Sequence, residues 1–224
     1  MLLKTQFTVP KEIINMALNN LPNINGKFAL NRPLGDFFYD SWEIKENFKN
    51  TVWETILNSL PFSFGEARII ILNSKTAYVA HSDIDDRYHL NIQGENSFLL
   101  DVDNCIMHKT ECDGIWYEMN AGKLHSAVNL SGMERIQLVV RKLLNRNNLI
   151  DPQHIKVIAL KSLDENNRYI FDQITSKWLN QANKEGKINN FKYINENEVT
   201  LNIEKDSLQE FKNNVPSIFE VIES

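Results

Sequence analysis

From Glu66 onward the chain breaks into short runs in which apolar residues alternate with polar ones: ARIIIL, TAYVAHSD, RYHLNI, SFLLDV, GIWYEM, KLHSAV and RIQLVVRKLL. A period of two puts successive side chains on opposite faces of a strand, so each run has one face to bury. Asn73, Ser74, Gly94, Asn96, Gly114, Gly122 and Gly132 separate the runs with residues suited to turns. Several short strands at spacings of roughly 8 to 12 residues predict an all-β sandwich or barrel. The mouth of such a barrel is a natural seat for a metal and a small ligand.

The flanks read differently. Before residue 60 the periodicity is helical: Pro10 opens PKEIINMALNNL, and a second, longer helix follows Asp40. In that second segment Ile44, Phe48, Val52 and Ile56 step by four, Trp53, Leu57 and Leu60 widen the stripe, and Asp40 with Glu43 resembles a capping box. Between the two, FALNRPLGDFFYD reads as a loop or short strand in which Arg32 is a candidate to face a substrate carboxylate. After Leu149 a helix is predicted from Ile170, Ile174 and Trp178, beside Phe171 and Leu179. A hairpin in FKYINENEVTLNI and a short helix in SLQEFKNN follow. The apolar tail VPSIFEVIES carries Ile218, Phe219 and Val221, which should bury against the chain itself in preference to a dimer partner. The expected organisation of these 224 residues is a β domain with N-terminal supporting helices over 1–149 and an α+β C-terminal appendage over 150–224.

Charge and composition exclude several classes. Lys and Arg number 24 against 29 Asp and Glu, a net charge of -5 with no basic run, so nucleic acid is not an expected partner. No apolar run reaches the roughly 18 residues of a membrane span, and MLLKTQFTVPKEI lacks the apolar core of a signal peptide. The expectation is a soluble, cytoplasmic protein without membrane contact, monomeric or homodimeric. Cys105 and Cys112 are the only cysteines and read as reduced structural residues.

The chemistry concentrates between His81 and Arg135. In HSD, His81 and Asp83 are two apart, so on a strand both point to one face and can grip one cation, with His125 as the third ligand. Two imidazoles and a carboxylate on one face of an octahedral ion leave open positions, the facial arrangement of non-haem Fe(II) oxygenases. Arg135 begins a run that reads as a buried strand, where a fixed guanidinium can hold a carboxylate bidentately. His108, Glu111 and Asp113 read as a solvated turn, as do Asp101 and Asp103.

Taken together, ARIIIL, HSD, RYHL, GIWYEMNAGKLHSAVNL and ERIQLVV resemble the aspartyl/asparaginyl β-hydroxylase family of Fe(II)/2-oxoglutarate oxygenases, over roughly residues 66 to 141. The likeness is strongest to its bacterial members that cis-hydroxylate free L-proline. It implies a mainly β fold with flanking helices and a double-stranded β-helix core, the jelly roll of cupins. It also implies that His81, Asp83 and His125 hold iron and that Arg135 grips the far carboxylate of 2-oxoglutarate. Arg87 and His89 match an RxH element near the other carboxylate end, and Trp116 matches an aromatic that walls the substrate pocket, although a core tryptophan fits that position equally. The implied reaction uses molecular oxygen and 2-oxoglutarate to hydroxylate a C–H bond of a small amino acid, or of an Asp, Asn or Pro residue in a peptide. The free amino acid is slightly favoured. The chain departs from the family in a short interval between HSD and RYH, and in Asn120, where an Asp is common. A cupin-type metal sensor and a zinc-dependent isomerase or hydrolase are the alternatives, and a sensor has no need of the anchor at Arg135.

Overall fold

The structure is a computed structural model that describes residues 2–22, 26–160 and 176–223. Strand dominates, in several antiparallel sheets, with four α-helices among the described residues. The chain divides into two compact units. The first comprises Met1–Ala80, Asp86–Asn120 and His125–Leu143, and the second His81–Asp85, Ala121–Leu124 and Leu144–Ser224.

The first unit opens with β1 (Leu2–Thr8), α1 (Lys11–Asn19), β2 (Lys27–Ala29), β3 (Asn31–Pro33), β4 (Trp42–Ile44) and α2 (Val52–Leu57). The alternating runs then become β5 (Ala67–Leu72), β6 (Thr76–Ala77), β7 (Arg87–Gln93), β8 (Ser97–Asp101), β9 (Ile106–Lys109), β10 (Ile115–Met119), β11 (His125–Asn129) and β12 (Arg135–Arg141). Six strands form a sheet in the order β1-β10-β7-β12-β5-β2, four form a second in the order β6-β11-β8-β9, and β3 pairs with β4. Alternation gives the large sheet two distinct faces. One carries Tyr88, Leu90, Ile92, Trp116, Ile136, Leu138 and Val140, which share a core with Ile14 of α1 and with Trp53, Ile56 and Leu57 of α2. Each fully buried aliphatic side chain there contributes about 1.5–3 kcal/mol. The other face is buried too, yet polar: Arg87, His89 and Asn91 on β7, Arg135 and Gln137 on β12. Asn91 stands opposite Gln137 in the β7–β12 register.

The helix expected after Asp40 is corrected. Residues 42–44 are strand β4, Glu46–Phe48 is a 3-10 turn, and only Val52–Leu57 is α-helical. Asn50, with φ 58, occupies the left-handed region and breaks any continuous helix, and Thr51 then starts α2 by accepting a hydrogen bond from the Trp53 N–H. Asp40 forms no capping box with Glu43; its carboxylate accepts from the Asp36 N–H. Phe48, Ile56 and Leu57 still reach the core, so the four-residue stripe recorded burial rather than one helical path. The sequence periodicity predicts neither β1 nor β9.

The second unit contains β13 (Pro152–Ala159), α3 (Ser176–Lys184), β14 (Ile188–Asn195), β15 (Glu198–Glu204), α4 (Lys205–Asn214) and β16 (Phe219–Glu223). Its antiparallel sheet runs β14-β15-β13-β16, the order of a split β-α-β arrangement. Val157 faces Val199 and Ile155 faces Leu201 across the β13–β15 pair, all four buried. The expected hairpin is β14–β15, whose turn is tied by the Asn197 N–H donating to Asn195 Oδ1. The apolar tail adds β16 beside β13 and buries Phe219, so its contact is within the chain. Ile170, Phe171 and Ile174 of the predicted helix lie outside the described residues; Trp178 stands on α3 with its ring 5.0 Å from that of Phe211. Among the described residues no helix is long and apolar enough to cross a membrane.

Candidate metal centre and anion pocket

His125 begins β11 directly opposite Asp101, the last residue of β8, and is buried. HSD does not lie on a regular strand as expected: the β6 ladder ends at Ala77, and only His81 forms an isolated bridge. The segment is fixed by other means within the second unit. The Asp83 N–H donates to the Ala121 carbonyl at 2.8 Å, and the Asn180 carboxamide of α3 donates to the Ile84 carbonyl at 2.9 Å. A Cβ on Gly122 would stand 2.4 Å from Asn180 Oδ1, so glycine is required for Asn180 to reach in. One ligand atom from each of His81, Asp83 and His125 lies within 4.8 Å of the others, with His81 Nε2 at 3.8 Å from Asp83 Oδ2. Two imidazoles and a carboxylate at this separation can hold a metal ion, and the donor set suits a first-row divalent metal.

The first unit also buries a guanidinium with open donors. Arg135 is 2% exposed, and its Nε and Nη2 have no hydrogen-bond partner. Burial lowers its pKa to about 10, yet it remains charged at neutral pH. Tyr78 and Cys112 stand in its field, and burial pushes both of their pKa values up, so neither supplies a compensating charge at neutral pH. Gly94, with φ +123, lets the chain approach: a Cβ there would lie 3.3 Å from Arg135 Cα and 2.5 Å from Ser97 Oγ. An ionised guanidinium with two of its nitrogens unpartnered is costly to bury, and the cost is offset when a ligand anion fills those open donors.

His89 lies on the same polar face and is 6% exposed. Its pKa falls to about 3, first because of burial and then because the Arg135 guanidinium is a positive neighbour, with the contact to Gln137 opposing the fall, so the ring is neutral. Its Nδ1 stands 3.3 Å from Gln137 Oε1, Gln137 Nε2 donates to Asn91 Oδ1 at 2.5 Å, and Asn91 Nδ2 donates to the Thr110 carbonyl at 2.6 Å. His89 Nε2 is buried with no partner.

The remaining sequence candidates separate. Arg87 is buried at the head of β7, on the polar face. Trp116 is corrected from pocket wall to core: alternation on β10 turns it to the apolar face, fully buried, with Nε1 donating to Ser59 Oγ at 2.8 Å. Arg32 is exposed and paired with Glu43 across β3–β4, Nη2 to Oε1 2.6 Å. Asp101 is not solvated as expected but buried, accepting from the Asn104 N–H and Nδ2 at 3.2 and 2.9 Å. His108 lies on β9 rather than in a loop, while Asp113 takes a surface ion pair from Lys4 at 2.8 Å. Sequence reasoning missed Asn91, Gln137 and Asn180. For the first two a signal existed, since R-x-H-x-N and R-x-Q are polar sets of period two on strands otherwise made of Leu, Ile and Val.

No known family's sequence profile matches the chain, and no curated protein matches it.

Proposed function

We propose that this chain is an Fe(II)- and 2-oxoglutarate-dependent dioxygenase that hydroxylates a C–H bond of a small amino acid, free in preference to peptide-bound. The observation that carries the reading is Arg135, with two buried donors lacking any partner on a polar inner face. A metal sensor has no use for that feature. Numbering the strands β5 to β12 as one to eight, the two sheets run 6-3-8-1 and 2-7-4-5. Those orders support a jelly-roll reading of the core.

In this reading His81, Asp83 and His125 hold ferrous iron, which supplies the oxygen chemistry that couples decarboxylation of 2-oxoglutarate to hydroxylation. Arg135 takes the far carboxylate through Nε and Nη2, a bidentate grip that fixes the oxo acid's orientation. The buried amide pair Asn91–Gln137 keeps that wall rigid. A substrate held in one orientation presents one hydrogen for removal.

The test is oxygen-dependent formation of succinate from 2-oxoglutarate, with free amino acids and short peptides screened as stimulants. Stimulated succinate release that is lost in His81→Ala and His125→Ala is expected. Full turnover in those two variants would show the ligand assignment to be wrong.

A further inference from the structure

The polarity of the hydrogen bonds behind His89 can be followed from a fixed end. A backbone carbonyl only accepts, so the Asn91 group facing the Thr110 carbonyl must be its NH2. The Thr110 hydroxyl, which donates to the Ser97 carbonyl, accepts from the same Asn91 nitrogen at 2.9 Å. Asn91 Oδ1 is therefore the atom offered to Gln137, whose NH2 must meet it at 2.5 Å. That leaves Gln137 Oε1 toward His89, and an oxygen there demands a proton on Nδ1. In a neutral imidazole a proton on Nδ1 leaves Nε2 bare. This nitrogen is buried, unpartnered and on the same sheet face as the open donors of Arg135.

We propose that the Thr110–Asn91–Gln137 chain holds His89 as the Nδ1–H tautomer and that Nε2 accepts a hydrogen bond from an N–H or O–H of a bound molecule. The pocket of the first unit is thus two-signed: Arg135 meets an anionic group and His89 meets a donor. The identity of that donor rests on the function proposed above. Both ends of 2-oxoglutarate are acceptors, so a bare Nε2 does not pair with the oxo acid's carboxylate as the resemblance implies for His89, and the group that reaches it belongs to the second molecule, the amino or hydroxyl group of the amino-acid substrate. Gln137 and Asn91 act through His89 and are positioning residues.

Nitrogen NMR of the full chain labelled with 15N-histidine reads this directly, with the His89 signals assigned by their loss in His89→Gln. At neutral pH, His89 is expected to show a protonated Nδ1 and an unprotonated Nε2, without ligand and after addition of 2-oxoglutarate. In Gln137→Leu the acceptor is gone, and the proton is expected to move to Nε2. An Nε2–H tautomer or a doubly protonated ring in the wild-type protein, free or with 2-oxoglutarate, overturns the proposal, and so does an unchanged tautomer in a folded Gln137→Leu. The wild-type spectrum decides by itself if that variant does not fold. Calorimetry of 2-oxoglutarate binding separates the two claims: absent binding counts against the oxygenase reading, while the tautomer of the free protein still tests the polarity of His89.

Discussion

Arg135→Met is expected to make the metal-free, ligand-free protein more stable while removing its affinity for a dicarboxylate. Methionine keeps most of the side-chain volume and removes a charge whose Nε and Nη2 have no partner. The cost of that charge follows from the lowering of the Arg135 pKa from 12.5 to about 10. At about 1.36 kcal/mol for each pKa unit, the charged form carries a penalty of roughly 3 kcal/mol. Imperfect repacking around a flexible thioether takes back part of this, so a net stabilisation of about 1–3 kcal/mol is expected. Urea denaturation at neutral pH is the assay, and a rise in midpoint with unchanged slope is the predicted result. A loss of about 2 kcal/mol or more with the same slope would mean that the guanidinium is satisfied by the fold and is not an open anion site.

Three further outcomes follow from other parts of the molecule. His89 has a folded pKa of about 3 against an ordinary value of 6.5, so between those pH values the unfolded chain binds more protons and stability rises with pH. Its contribution is complete above about pH 6.5 and is lost as pH falls, by roughly 2 kcal/mol at pH 5, and His89→Gln should flatten that share of the stability–pH curve. Asn180→Leu removes the donor to the Ile84 carbonyl, next to Asp83, and should weaken divalent-metal affinity about tenfold in a competition titration; unchanged affinity would deny Asn180 a bracing role. Thr51→Ala removes the side chain that caps α2 and should cost about 1 kcal/mol in thermal or urea unfolding with metal affinity unaltered.

The strands and the polar residues they carry were legible in the sequence because a period of two is a local property. RYHLNI and RIQLVV lie within β7 and β12, and SFLLDV and GIWYEM overrun β8 and β10 by one residue each. His81, Asp83 and His125 were legible as donors by residue type, and the structure brings their ligand atoms together. The failures have long-range causes. The stripe from Ile44 to Ile56 suggested a helix because each residue is drawn to one core, yet Asn50 and the β3–β4 pairing divide it. The alternation around HSD predicts a strand, but Asp83 is held by Ala121, a residue distant in sequence, and Ile84 by Asn180. Trp116 fell on the other side of β10 from the polar face, a one-residue choice that composition does not make.

The most direct test of the account is anaerobic addition of Fe(II) and then 2-oxoglutarate to the metal-free protein, followed by visible absorption. A 2-oxo acid chelated to ferrous iron gives a charge-transfer band, and the wild-type chain is predicted to develop one that saturates at one equivalent of iron. The band should be absent in His125→Ala, and in Arg135→Met it should need a much higher 2-oxoglutarate concentration. A correctly folded wild-type protein that gives no band under these conditions would contradict the assignment of this chain as a 2-oxoglutarate-dependent oxygenase.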